Sequence, residues 1–230
     1  MRTFSTFLKT LLFVFYLLML YSNIEISFIN VLVCVLALVF SNTIHAILHE
    51  LGHFIGGIIS GYRLLQLRLG PIILSKTQQG KCELNFCFSK FNQCVMIPQR
   101  SQKYIAYNLF GVIFNTLTTA IVMCLYFFNL KSLSDIGIII FLSLLVIGIN
   151  KIISNALPII NNGYPNDMKI ISLISKSELV KKHYFMYLSA FEKVFYNLPL
   201  DSIRIEEIKQ EIDSNTDSFF AEQIIKLYEC

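Results

Sequence analysis

The run Ile44 to Ser60, IHAILHELGHFIGGIIS, sets two histidines and a glutamate into an otherwise apolar stretch. A charged group at the centre of a membrane helix costs roughly 2.5–3.5 kcal/mol unless it faces a partner, a metal or a water-filled cavity. These residues therefore restrict the fold more than the apolar ones around them. His49-Glu50-Leu51-Gly52-His53 is an H-E-x-x-H arrangement. On an α-helix, residues four apart lie about 40° from each other around the axis, so His49 and His53 project to one side and can hold one metal ion. Zinc suits the pair, because imidazole nitrogens match a borderline-soft ion. Glu50, beside the first histidine, is placed to take a proton from an activated water rather than to bind the metal. A bare match of this kind also arises by chance in chains that bind nothing; the apolar context is what gives it weight. Gly52, Gly56 and Gly57 lower helix propensity, yet small residues are common where membrane helices pack closely.

Composition places the segment in a membrane. Of 230 residues, 55% are hydrophobic and 15% charged, and the mean hydropathy is +0.61. That balance belongs to an integral membrane protein rather than a soluble domain. Six cysteines (Cys34, Cys82, Cys87, Cys94, Cys124 and Cys230) contain no C-x-x-C pair, so no disulfide framework is expected. Cys82, Cys87 and Cys94 are spaced irregularly and lack a fourth ligand, which favours free thiols over a soft-metal site.

The pattern predicts an all-α membrane protein with four transmembrane helices, over residues 4–22, 28–60, 104–128 and 136–153. The first lacks a small-residue cleavage site after its apolar run and is expected to stay attached. Between the second and third, residues 61–103 change character. Leu64 to Leu69 and Cys82 to Phe88 alternate apolar and polar residues, with Gly70-Pro71 and Gln79-Gly80 as punctuation, which predicts short strands or hairpins. This loop holds Arg63, Arg68, Lys76, Lys81, Lys90, Arg100 and Lys103 against Glu83 alone. The positive-inside tendency puts it in the cytoplasm, a simpler reading than nucleic-acid binding, and no nucleic-acid partner is expected. The turn through Asn129, Lys131 and Asp135 must then face the opposite side, and both termini are cytoplasmic. Residues 1–176 read as the membrane domain and 177–230 as a small cytoplasmic helical tail, with helical spacing in Ser202 to Ile212 and Phe219 to Tyr228. His183 in the tail is assigned no role.

Topology supplies a third ligand independently of any motif. The second helix runs inward, so His49 and His53 lie toward its cytoplasmic end, and the fourth helix ends at that same side. Asp167 is the first carboxylate after the fourth helix. Two histidines and a carboxylate leave a fourth position on zinc for water. Asp167 could equally N-cap a helix starting at Met168, and the two roles are compatible.

These residues resemble the site-2 protease family of intramembrane zinc metalloproteases, in its small Gram-positive bacterial form. HELGH in an apolar helix, followed by Gly61-Tyr62-Arg63 and the strand-like Gln66 to Pro71, resembles the family's first core helix and membrane-associated hairpin. Asn155-x-x-Pro158 with Asp167 downstream resembles its second motif, commonly N-x-x-P followed by D-G. Gln93 to Pro98 and Tyr107 to Asn115 are similar to the small members as well, so the likeness runs from Ile44 to Ile171. One departure is Met168, where the family has glycine after the aspartate; Asn162-Gly163 lies earlier.

The resemblance implies hydrolysis of peptide bonds within or at the membrane, in a membrane-spanning or small hydrophobic peptide substrate, with zinc as cofactor and Glu50 as general base. Asn155 is the implied donor to the developing oxyanion, with Asn115 a weaker candidate that could instead make an interhelical hydrogen bond. His45 could support a ligand or line a water path, or be a packed polar residue. Pro158 most simply ends the fourth helix. Two other functions fit the same residues: a catalytically impaired relative that binds or escorts membrane peptides, suggested by Met168, and a metal transporter, disfavoured because only one helix carries clustered ligands.

Overall fold

The structure is a computed structural model that describes residues 1–88, 92–99, 103–129, 132–161, 163–200, 205, 208–209 and 219–229. Its elements in chain order are α1 (Arg2–Asn23), α2 (Phe28–Ile59), β1 (Tyr62–Leu69), β2 (Ile72–Lys76), β3 (Cys82–Phe86), β4 (Gln93–Pro98), α3 (Tyr104–Asn129), α4 (Asp135–Ala156), β5 (Ile160–Asn161), β6 (Tyr164–Pro165), α5 (Asp167–Ile174), α6 (Glu178–Phe195) and α7 (Phe219–Glu229). The expected helix Ser202 to Ile212 falls mostly outside the described residues, as do Lys90, Arg100, Lys131, Asn162 and Cys230. Contacts divide the chain into two compact units, Met1–Gly56 with Asn108–Lys169, and Gly57–Tyr107 with Ile170–Cys230.

The four helices α1 to α4 are long and apolar enough to cross a membrane. Their outward side chains suit a lipid bilayer: Phe28 is 86% exposed and Phe128 87%. In water such surface would cost about 25 cal/mol per Å², whereas lipid tails accept it. At about 1.5 Å per residue, the 32 residues of α2 extend beyond the roughly 30 Å hydrocarbon layer, with His49 and His53 in the second half. Leu157 leaves the helical region at φ −85°, ψ 127°, as the residue before Pro158 must, and α4 ends at Ala156. That end lies three residues beyond the expected Ile153 and puts Asn155 in the last turn.

The first unit packs around Tyr16, Tyr126, Leu142 and Val146, with Leu38 and Phe141 against them. A phenol buried among apolar helices needs partners for its hydroxyl. Tyr16 Oη finds two, Ser143 Oγ on α4 at 2.9 Å and Cys34 Sγ on α2 at 3.0 Å. One hydroxyl from α1 thus ties three helices.

In the second unit β1 to β4 form one antiparallel sheet in the order β3-β2-β1-β4. The alternating runs read from the sequence fall in β1 and β3. Strands β2 and β4 were not expected, because IILSK and QCVMIP do not alternate. Cys94 to Ile97 are all buried, on both faces of β4, and a strand covered on both sides carries a continuous apolar run. Cys94 is buried, whereas Cys82 and Cys87 are exposed thiols. Helix α6 starts at the Ser177 cap, whose hydroxyl accepts from Leu179 N–H, and packs on β4. Glu192 on α6 pairs with Arg63 on β1, and the Tyr196 hydroxyl donates to the Lys76 carbonyl at 2.7 Å. Helix α7 lies against α6, with the Tyr184 and Phe220 rings 5.0 Å apart and 71° to each other.

Replacing Tyr16 with phenylalanine is expected to lower the stability of the detergent-solubilised protein by about 0.5–2 kcal/mol, the range for interhelical hydrogen bonds in membranes. Reversible unfolding of wild type and Tyr16→Phe measures it; equal stability would show that the tie contributes nothing.

Candidate metal centre

Helical spacing alone sets His49 and His53 on one side of α2, but what brings other groups to them is the closeness of α3. A Cβ added at Gly52 would stand 2.8 Å from the Phe110 carbonyl carbon and 2.9 Å from Gly111 Cα, so the two backbones pass with no room for a side chain. Gly111 faces the imidazoles in turn: a Cβ there would lie 2.7 Å from His53 Nε2 and from His49 Cε1. These two glycines set the rings against bare backbone.

The carboxylate arrives from the chain after α4. Asn161 pairs with Tyr164 and Ile160 with Pro165 in a two-stranded hairpin, turned at Gly163 with φ 83°. That backbone is easy only for glycine, which gives Gly163 a turning role. Asn166 closes the hairpin. Its amide nitrogen donates to the Ser154 carbonyl at 2.5 Å and the Leu157 carbonyl at 2.6 Å, both orphaned by the end of α4. Its oxygen accepts from Ile159 N–H at 3.2 Å and from Lys169 N–H at 3.0 Å. The last bond is an N-cap on α5, so Asn166 caps the helix and Asp167, at its first residue, keeps its carboxylate for the histidines. Of the two roles open to Asp167 in the sequence, capping is thereby taken by its neighbour.

His49 Nε2 lies 3.1 Å from His53 Nε2 and 3.1 Å from Asp167 Oδ2, and His53 Nε2 lies 3.4 Å from Asp167 Oδ1. The three side chains are 12%, 9% and 16% exposed. They form a group whose ligand atoms all lie within 4.8 Å of one another. Two atoms bound tetrahedrally to zinc at about 2.0–2.2 Å stand about 3.3–3.6 Å apart, close to these separations. Burial pushes the Asp167 carboxyl up, but His53 and His49 outweigh it and hold the group well below the usual carboxylate range. Asp167 Oδ2 is buried without a hydrogen bond of good geometry, although His49 Nε2 is near. Two imidazole nitrogens turned toward each other beside an incompletely satisfied carboxylate oxygen are a set of donors that a divalent cation completes. The residues fit zinc.

Around this set the structure adds further polar residues. Asn115, fully buried, lies with one end of its amide 3.2 Å from His49 Nδ1 and the other 3.2 Å from His45 Nδ1. His45 Nε2 is 3.1 Å from the Leu144 carbonyl. Asn115 is therefore engaged at both ends of its amide, bridging the two histidines. Lys151 on α4 is close enough to Glu50 for their charges to interact. A lysine within an apolar helix was the available signal, since intramembrane charges mark partners. Asn166 could have been found from its place before Asp167, because asparagine is a preferred helix cap. Asn155 is half-buried in the last turn of α4, one residue beyond the Ser154 carbonyl that Asn166 holds.

Gly111→Ala is expected to push the imidazoles off the carboxylate and weaken zinc binding at least tenfold, although alanine is the better helix former by about 1 kcal/mol. Asn166→Ala removes the cap and both carbonyl clamps, with about 1 kcal/mol lost at the cap alone, and weakens zinc binding too. Chelator-competition titration of each variant reads both; wild-type affinity in Gly111→Ala would mean that α3 does not confine the rings. Compared with protein-family models, curated proteins and solved structures, the chain matches none.

Proposed function

We propose that the chain is a zinc-dependent endopeptidase of the membrane, cleaving a membrane-embedded or small hydrophobic peptide. The observation that carries this reading is the convergence of His49, His53 and Asp167 beside Glu50, from two stretches more than a hundred residues apart in the chain. The same residues underlie its resemblance to the site-2 proteases. When bound, zinc supplies Lewis-acid polarisation of a carbonyl and a lowered pKa for water, from 15.7 toward about 7. His49, His53 and Asp167 hold it through two imidazole nitrogens and a carboxylate, which leaves room for water or substrate.

Glu50 follows His49 on the same turn of α2 and serves as general base, taking a proton from the attacking water and returning it to the leaving amine. Asn155, by resemblance, donates to the oxygen that gains negative charge. The apolar helices keep the site in a medium where these charges act strongly, and favour a substrate that is itself apolar. The basic loop after α2 favours a cytoplasmic position for both termini.

Met168 does not argue for an impaired enzyme on backbone grounds. It stands inside α5 with ordinary helical conformation; among the described non-glycine residues, positive φ occurs only at Asn197. Glycine is not required where the aspartate opens a helix.

The purified protein is expected to hold about one zinc per chain and to cleave members of a membrane-helix peptide library. Glu50→Gln should retain zinc and lose at least about a hundredfold in rate, in line with loss of a general base. Asp167→Ala should weaken zinc itself. Cleavage that survives Glu50→Gln would sink the mechanism, and a chain that binds no zinc would remove it altogether.

A further inference from the structure

We propose that Asn115 is a positioning residue that fixes the proton of His49 on Nδ1, so that the Nε2 lone pair is turned to the metal, and that His45 and the Leu144 carbonyl hold Asn115 in the sense that does this. The inference rests on the metal-centre reading above and adds residues on three helices to it.

The geometry is a chain of four groups. The Leu144 carbonyl on α4 lies 3.1 Å from His45 Nε2, His45 Nδ1 lies 3.2 Å from one end of the Asn115 amide, and the other end lies 3.2 Å from His49 Nδ1. A carbonyl can only accept, so His45 carries its proton on Nε2. Neutral His45 then presents a lone pair at Nδ1, and that lone pair needs a donor. As placed, Asn115 Oδ1 faces His45 and Nδ2 faces His49. That sense would set two acceptors together, or require a charged His45 at a position with 0% exposure inside an apolar helix.

A half-turn of the amide about χ2 exchanges nitrogen and oxygen in the same space. The NH₂ group then donates to His45 Nδ1 and the oxygen faces His49 Nδ1. An amide oxygen only accepts, so His49 must carry its proton on Nδ1, which leaves Nε2 unprotonated. Nε2 is the atom 3.1 Å from both His53 Nε2 and Asp167 Oδ2. Each contact in the chain now pairs a donor with an acceptor, and the series ends on a lone pair at the metal position. Fixing a ligand's tautomer through its other ring nitrogen is a general way to raise metal affinity. Full burial of His45 and Asn115 keeps water from substituting for either partner.

The test is zinc affinity by chelator competition, joined to ¹⁵N NMR of histidine-labelled protein. Asn115→Leu keeps the volume and removes both hydrogen bonds; it should weaken zinc binding by about 10- to 100-fold. Asn115→Asp keeps an acceptor toward His49 Nδ1 but gives up the donor to His45, and should lose clearly less zinc affinity than Asn115→Leu. In zinc-loaded wild type, His49 should show a proton on Nδ1 and metal on Nε2. Zinc binding unchanged in Asn115→Leu, an Asn115→Asp loss as large as that of leucine, or His49 bound through Nδ1 overturns the role of Asn115 while the metal centre stands. A wild-type chain that takes up no zinc overturns both. The NMR measurement uses wild type, so it decides the matter even if Asn115→Leu misfolds.

Discussion

Polar groups in an apolar helix must be satisfied by other parts of the protein, because lipid offers them nothing. Helix α2 carries His45, His49, Glu50 and His53 within three turns. The first unit is arranged to answer each of them. Asp167 comes to His49 and His53, Asn115 stands between His45 and His49, the Leu144 carbonyl takes His45, and Lys151 sets its charge near Glu50. A polar path thus crosses α2, α3 and α4 and ends at the first residue of α5. Its cost in desolvation is offset only if all of its members are present, which makes it cooperative.

That path depends on how near the backbones come. Gly52 lies between the two candidate ligands in sequence and against α3 in space, and Gly111 answers it from the other side. Glycine inside a helix costs about 1 kcal/mol relative to alanine. Here the loss is balanced by access: a Cβ at Gly111 would lie 2.7 Å from atoms of both imidazoles, so the rings can come this close to α3 only where none intervenes. Packing and chemistry are therefore not separable at this crossing.

The carboxylate is held by a different device. The end of α4 leaves carbonyls without intrahelical partners, and Asn166 takes two of them with one amide while its oxygen takes two N–H groups. A single side chain therefore joins the end of α4 to the start of α5 across the hairpin β5–β6, and the residue after it is Asp167. The position of the carboxylate follows from satisfying the backbone, with no apolar core needed at that point.

The apolar helices and the helical spacing of His49 and His53 were legible in the sequence, since hydropathy and the 3.6-residue period act locally and need no partner. So was the candidacy of Asp167, because chain order and membrane crossing restrict which carboxylate can return to a given side. Strand β4 was hidden because burial on both faces gives it a continuous apolar run, and β2 because IILSK does not alternate. Tertiary structure alone decided that Asn166 rather than Asp167 caps α5, and that Asn115 bridges His45 and His49. It also decided that Gly111 meets the imidazoles. Each of these depends on how side chains and backbones meet in space, which composition and periodicity do not record.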